Sequence, residues 1–120
     1  VSLTGLYEGV TINANTDGQT FSIPTHQDLG THALNGASYR FYLFGMNEDK
    51  TIYSSENEDK ILNYTCTPDW NEEGAFVCRF EGDSTFTDGK IMKGIAFTAY
   101  TLSGEKKGTV EQFYDLNLKR

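Results

Sequence analysis

Basic residues are scarce in this chain of 120 residues: ten Lys and Arg stand against seventeen Asp and Glu, for a net charge of −7. That balance excludes a phosphate-binding surface as the main business of the molecule, so no nucleic acid is expected as a partner. No apolar run approaches the roughly 20 residues that a membrane-spanning helix needs, and no transmembrane segment is predicted. The only cysteines are Cys66 and Cys78 and the only histidines His26 and His32. With no close Cys pair and no Cys/His cluster, neither a zinc site nor dithiol redox chemistry is expected, and no cofactor is implied. Nowhere does an apolar pattern at helical spacing persist for three turns.

What is present instead is short runs of Tyr, Phe, Thr, Ile and Val split by Gly, Asn and Asp, the mark of an all-β chain. The length predicts a single domain over residues 1–120. Candidate strands fall at 5–13, 20–24, 38–46, 51–55, 61–66, 75–81, 84–87, 90–102 and 109–118. Turn signals separate them at Asp17-Gly18, at Asp88-Gly89, read as a two-residue type I′ turn, and from Ser103 to Gly108. So many short antiparallel strands with short links predict a small meander β-barrel of about eight strands, with a two-sheet sandwich as the alternative.

Residues 47–62, NEDKTIYSSENEDKIL, contain the same four letters twice and five carboxylates: Glu48, Asp49, Glu56, Glu58 and Asp59. A calcium loop spaces its acids two apart around a Gly at the bend, and neither feature is here. Read as two four-residue hairpin loops, the copies sit at opposite ends of one short strand, about 15 Å apart at roughly 3.3 Å per residue. One ion cannot bridge them, and no metal site is expected. This reading sets a register: Met46 opposite Thr51, Phe44 opposite Tyr53, and Tyr53 opposite Tyr64. With Cys66 opposite Cys78 on a neighbouring strand, Phe80 joins Phe44, Tyr53 and Tyr64 in one buried row. In the last hairpin, Thr101 opposite Val110 turns Ile95, Phe97, Tyr114 and Leu116 inward and Tyr100 and Phe113 outward.

A Cys66–Cys78 disulfide would close a loop of about a dozen residues, a stabilisation of roughly 3 kcal/mol in the chain-entropy account. Two buried thiols are the alternative. The clamped loop carries the one tryptophan, Trp70, either tucked under its own loop or offered to a partner as an anchor. His26, Asp28 and His32 lie in the longest unpatterned segment, residues 24–37, and could ligate zinc or act as base and orienter. No nucleophile motif accompanies them, and no enzyme is predicted. Under the register above, Phe41 and Leu43 point to the polar face. They are covered there by Leu29 and Leu34 of the long loop or form an apolar interaction patch.

These readings converge on a non-catalytic extracytoplasmic binding domain that recognises another protein through loops and an exposed face. Its candidate contacts are Trp70, Phe41, Leu43, Phe113, His26, Asp28 and His32. An inhibitor or immunity protein whose acidic surface meets a basic enzyme is one form of it. The start at Val1 rather than Met suggests a processed mature chain or an excised piece of a longer one; together with two cysteines that can pair, it fits a periplasmic, cell-surface or secreted address and leaves room for a removed leader or a lipid anchor. The reading from a different class is a carrier that holds a small apolar ligand inside the barrel, lined by Tyr53 and Tyr64.

Overall fold

The computed structural model describes residues 1–54, 63–71, 74–79, 85, 86 and 88–120. Strand accounts for 63% of the structure and no helix is present among the described residues, against 20–25% strand in an ordinary globular domain. The all-β class is therefore plain. The strands are β1 (Ser2–Leu3), β2 (Ile12–Asn13), β3 (Asn15–Thr16), β4 (Phe21–Pro24), β5 (Gln27–Leu34), β6 (Ala37–Asn47), β7 (Asn63–Cys66), β8 (Asp69–Trp70), β9 (Ala75–Arg79), β10 (Met92–Tyr100), β11 (Lys106–Phe113) and β12 (Asp115–Lys119).

They form several antiparallel sheets, ordered β11-β10-β6-β5, β12-β9-β8, β3-β4-β7 and β1-β2. None closes into a barrel, which corrects the meander-barrel expectation: β5 and β11 end the central sheet without a further partner among the described residues. One continuous core takes in Leu29, Phe41, Leu43, Ile95 and Phe97 of the central sheet with Phe21, Ile23, Tyr64, Phe76, Leu116 and Leu118 of the smaller ones.

The segment expected to be a long loop is mostly strand. Asn35 and Gly36 both hold positive φ, 52° and 83°, so the chain reverses in the two-residue manner typical of Asn-Gly and β5 pairs with β6 from Leu34↔Ala37 onward. Few large apolar residues mark β5, and the bulge between Asp28 and Gly30 breaks its alternation while turning Leu29 into the core.

Three other reversals share a different chemistry. At Asn47–Thr51, Phe86–Lys90 and Thr101–Glu105, the first residue's amide donates to the last residue's carbonyl, and the fourth residue's amide donates back to the first carbonyl. The fourth residue, Lys50, Gly89 or Gly104, is left-handed, with φ of 67°, 84° and 98°. These are three-residue loops. At Asn47 the first NEDK forms no four-residue loop, and Asp88-Gly89 forms no two-residue turn.

That difference of one residue overturns the expected register. Met46 pairs with Ile52, not Thr51, and the Tyr53 amide reaches the carbonyl of Gly45 rather than a residue opposite Phe44. β7 pairs with β4, and β9 pairs with β12 and β8. Phe44, Tyr53 and Tyr64 are all buried but form no common row; Phe80 and the second NEDK lie outside the described residues. In the last hairpin, bulges at Phe97/Thr98 and Ala99/Tyr100 shift the register, so that Ile95 pairs with Phe113 and Phe97 with Glu111. Phe113 then packs on Phe97 at 5.0 Å while Tyr114 is exposed, the reverse of the expectation.

Cys66 faces Phe21 of β4, and Cys78 faces Leu116 of β12, so they are not cross-strand partners. Both are buried and stand 2.6 Å apart. The fold brings the two cysteines together, but 2.6 Å is not the about 2.0 Å of a disulfide bond, and the bond itself is not shown.

Candidate binding groove on the central sheet

β6 reads Tyr39-Arg40-Phe41-Tyr42-Leu43-Phe44, apolar or aromatic at nearly every position, as a strand buried on both faces should. Its odd-numbered residues and their partners on β10, Phe41↔Ala99 and Leu43↔Phe97, form the inner face. Phe41 and Leu43 are fully buried there and present nothing to a partner. The outward orientation read from the sequence is overturned with the register. Leu29 and Leu34 do cover this face, from strand β5 rather than from a loop.

The even-numbered residues build the outer face. The directly opposed pairs Arg40↔Tyr100, Tyr42↔Thr98 and Phe44↔Ala96 project to one side of the sheet. Tyr42 and Tyr100 meet edge to face, with centroids 5.2 Å apart, and Phe44 lies 6.1 Å from Tyr42 and 6.3 Å from Tyr100. These rings line a groove of 590 Å³ together with His26, Arg40, Ser54 and the Thr101–Gly104 turn. Leu102, at the tip of that turn, is 65% exposed.

Polar groups flank the rings. Arg40 Nη1 donates to both carboxylate oxygens of Asp28, at 3.1 and 2.8 Å, and Asp28 also accepts the Gly30 amide at 2.8 Å across the β5 bulge. Lys106 Nζ donates to Ser54 Oγ at 2.7 Å, and Ser54 is hydrogen-bonded in turn to the Tyr100 phenol. Burial holds the Tyr100 phenol above its ordinary pKa, opposed by the Ser54 hydrogen bond and reinforced by the neighbouring Tyr42.

The fold separates the residues singled out in residues 24–37. His26, at φ 59°, sets its ring edge-on to Phe44 at 4.9 Å and lines the groove. His32 lies over Phe41 at 5.0 Å, and its Nε2 bonds the Leu29 carbonyl at 2.7 Å, which requires the proton on Nε2. Since Phe41 and Phe44 project from opposite faces of β6, the two imidazoles lie on opposite sides of the sheet. They form no joint site with Asp28. Among the described residues no group of three or more His, Cys, Asp or Glu could hold a metal ion.

Trp70 is on the short edge strand β8, 47% exposed, with its ring packed at 4.6 Å on Phe76 and 6.4 Å from Phe21. It is half tucked and half offered. Of the residues named from sequence, His26 lines the groove, Asp28 stands beside it on Arg40, Trp70 is not among its lining residues, and Phe113 is partly buried against the core. Arg40, Tyr42, Phe44, Ser54, Tyr100 and Leu102 were missed; the unbroken apolar run of β6 was the signal that a second covered or half-covered face existed. No helix of the described residues is long and apolar enough to cross a membrane. Compared with family models, with curated proteins and with solved structures, the chain matches none.

Proposed function

We propose that this chain is a non-catalytic, extracytoplasmic binding domain, and that its recognition surface is the groove on the outer face of the central sheet. The supporting observation is the Tyr42–Phe44–Tyr100 cluster with Arg40 beside it and an exposed Leu102 among the lining residues. Tyr and Arg are over-represented at binding hot spots because each offers a large contact area with a polar end. The partner is another protein. A net charge of −7 favours a partner of basic overall character, with association that slows as salt rises. A disulfide between the adjacent Cys66 and Cys78 belongs to this reading, since such bonds persist outside the reducing cytosol.

The interior carrier is less well supported. Tyr64 is fully buried with its hydroxyl on the Tyr114 carbonyl at 3.0 Å, and Tyr53 stacks on Phe86 at 3.6 Å. Both rings fill space rather than line it.

The test is capture from the native source with the whole chain as bait, identified by mass spectrometry, beside Leu102→Asp, Tyr100→Ser and Trp70→Ala baits. A partner lost with the two groove variants and kept by Trp70→Ala supports the reading. A partner held equally by all baits would place recognition elsewhere.

A further inference from the structure

We propose that the outer edge of strand β5 is a self-association site, where a second copy of this chain lays its own β5 antiparallel to the first across a two-fold axis and joins the two central sheets into one. None of Gln27–Leu34 lines the groove, and the proposal is independent of the reading given above.

The two edges of the central sheet differ. An edge strand offers a row of N–H and C=O groups to any approaching strand, and proteins blunt such edges with charge, bulges or cover. On β11 all three are present: Lys106, Lys107 and Glu111 stand along it, its register against β10 breaks twice, and the Gln112 side chain donates to the Lys50 carbonyl at 3.2 Å. β5 is closed only at its start. The Gln27 side chain bonds both the amide and the carbonyl of Asn13, at 2.6 and 3.0 Å, Asp28 accepts the Gly30 amide, and the Leu29 carbonyl accepts from His32. Beyond Gly30 this protection ends.

Which groups point outward follows from the hairpin. At the two-residue Asn35-Gly36 reversal, Leu34 and Ala37 face each other and exchange backbone bonds, and bonded and non-bonded pairs then alternate along the ladder. His32 therefore turns its N–H and C=O toward Tyr39, while Thr31 and Ala33 turn theirs away from β6. Both residues are exposed, and no described residue supplies a partner for those groups.

Two features name a second copy as the occupant. The first is charge. Residues 29–39, LGTHALNGASY, contain no Asp, Glu, Lys or Arg in a chain of net charge −7. Acidic copies repel wherever their charged surfaces approach, but along this strand and its turn no like charges meet. A basic partner of the kind proposed for the groove finds no acid on this stretch, and the neighbouring Asp28 is already held by Arg40 at 2.8 Å. The second is self-complementarity. With His32 on the two-fold axis, Thr31 lies opposite Ala33 of the second copy and Ala33 opposite its Thr31, so each outward N–H meets an outward C=O. Leu34, half-buried, comes opposite Gly30, which has no side chain to obstruct it. Asp28 falls opposite Gly36 and not opposite another acid. Few residues pair, which places the dimer among the weak associations that bury less than about 1,200 Å².

The experiment is sedimentation velocity of the full chain over a concentration series in mildly alkaline buffer, at low and at high salt. Expected is a concentration-dependent shift from the 13.4 kDa monomer to the dimer, stronger at high salt, where repulsion between acidic copies is screened. Ala33→Lys should weaken dimerisation by about tenfold or more, as an edge lysine does, although it makes the chain less acidic. Thr31→Pro removes an outward N–H and should act alike; if it fails to fold, Ala33→Lys at its exposed position decides. Thr109→Lys makes the same charge change on β11 and should leave the dimer intact. Monomer at every concentration, or a dimer indifferent to Ala33→Lys, would overturn the proposal. So would a monomer whose Thr31 and Ala33 amides become protected from hydrogen exchange only on adding a lysine-rich extended peptide, since the edge would then belong to a basic partner.

Discussion

The Tyr53 phenol donates to Asp88 Oδ2 at 2.5 Å, across 35 positions of sequence, while the Asn47 side-chain amide donates to the same phenol oxygen at 3.1 Å. Two reversals of the same type are tied together by this contact. Asn47 also accepts the amides of Asp49 and Thr51 on its side-chain oxygen, and the Asp49–Lys90 ion pair at 3.1 Å closes the same corner. Tyr53→Phe should destabilise the fold by about 1–3 kcal/mol, because the buried Asn47 amide loses its acceptor.

The pH dependence of that loss has a definite sign. The Tyr53 hydrogen bond, helped by the Lys90 amide, lowers the Asp88 pKa below its ordinary 3.8. Its stabilisation is fully present above the ordinary carboxylate range and is lost as pH falls through the lower folded value. Urea midpoints should therefore show the gap between wild type and Tyr53→Phe narrowing on acidification below that range. A gap independent of pH would show that the Asp88 bond contributes nothing through its charge.

The left-handed residues of the three-residue loops allow a paired test. Lys50 bears a side chain at φ 67°, a conformation costing an L-residue about 1–2 kcal/mol. Lys50→Gly should be neutral to stabilising by up to about 1 kcal/mol, the gain being trimmed by glycine's greater freedom when unfolded. Gly104→Ala, where a new Cβ meets nothing within 4 Å, should destabilise by about 1–2 kcal/mol from backbone strain alone. Thermal denaturation of both variants decides it, and shifts of equal sign would contradict the turn assignment.

Gly94 is constrained differently. A Cβ there would sit 2.2 Å from the Phe113 carbonyl oxygen and 2.9 Å from the Met46 Cε. The first of these atoms is backbone and cannot step aside without moving β11. Gly94→Ala should cost at least about 3 kcal/mol, whereas Gly45→Ala, tightest at 3.0 Å against the Phe86 ring, should cost less. Denaturant midpoints for the pair test the ranking.

Thr98 is fully buried, and its hydroxyl has no hydrogen-bond partner among the described residues. Thr98→Val keeps the shape and removes the stranded group, so stability should rise by about 1 kcal/mol. A loss of stability would mean the hydroxyl is satisfied in solution.

If Cys66 and Cys78 are joined, mass spectrometry of the non-reduced chain will find it two hydrogens lighter than the dithiol. Replacing both by Ser should then cost about 3 kcal/mol beyond the effect of the same change under reducing conditions. An unchanged mass would dismiss the bond.

Much of the candidate site was hidden from the sequence for an identifiable reason. His26, Asp28 and His32 were named together as candidate contacts, but the sheet itself keeps the two imidazoles apart. Tyr42 and Tyr100 become neighbours only through the pairing of β6 with β10, more than fifty positions away. The Asn35-Gly36 hairpin was legible and overlooked, since β5 lacks the bulky alternation that usually announces a strand.

Local chemistry was enough to decide the β class, the places where the chain turns at Asp17-Gly18, Asp88-Gly89 and Ser103-Gly104, and the apolar stock of the core. Those depend on backbone preferences and residue type over a few positions. Which strands meet, and which side of β6 faces water, depended on the fold as a whole. A loop of three residues instead of four moves a strand by one position and exchanges its faces, and distant pairings such as β9 with β12 are chosen by shared burial that no short stretch of chain encodes.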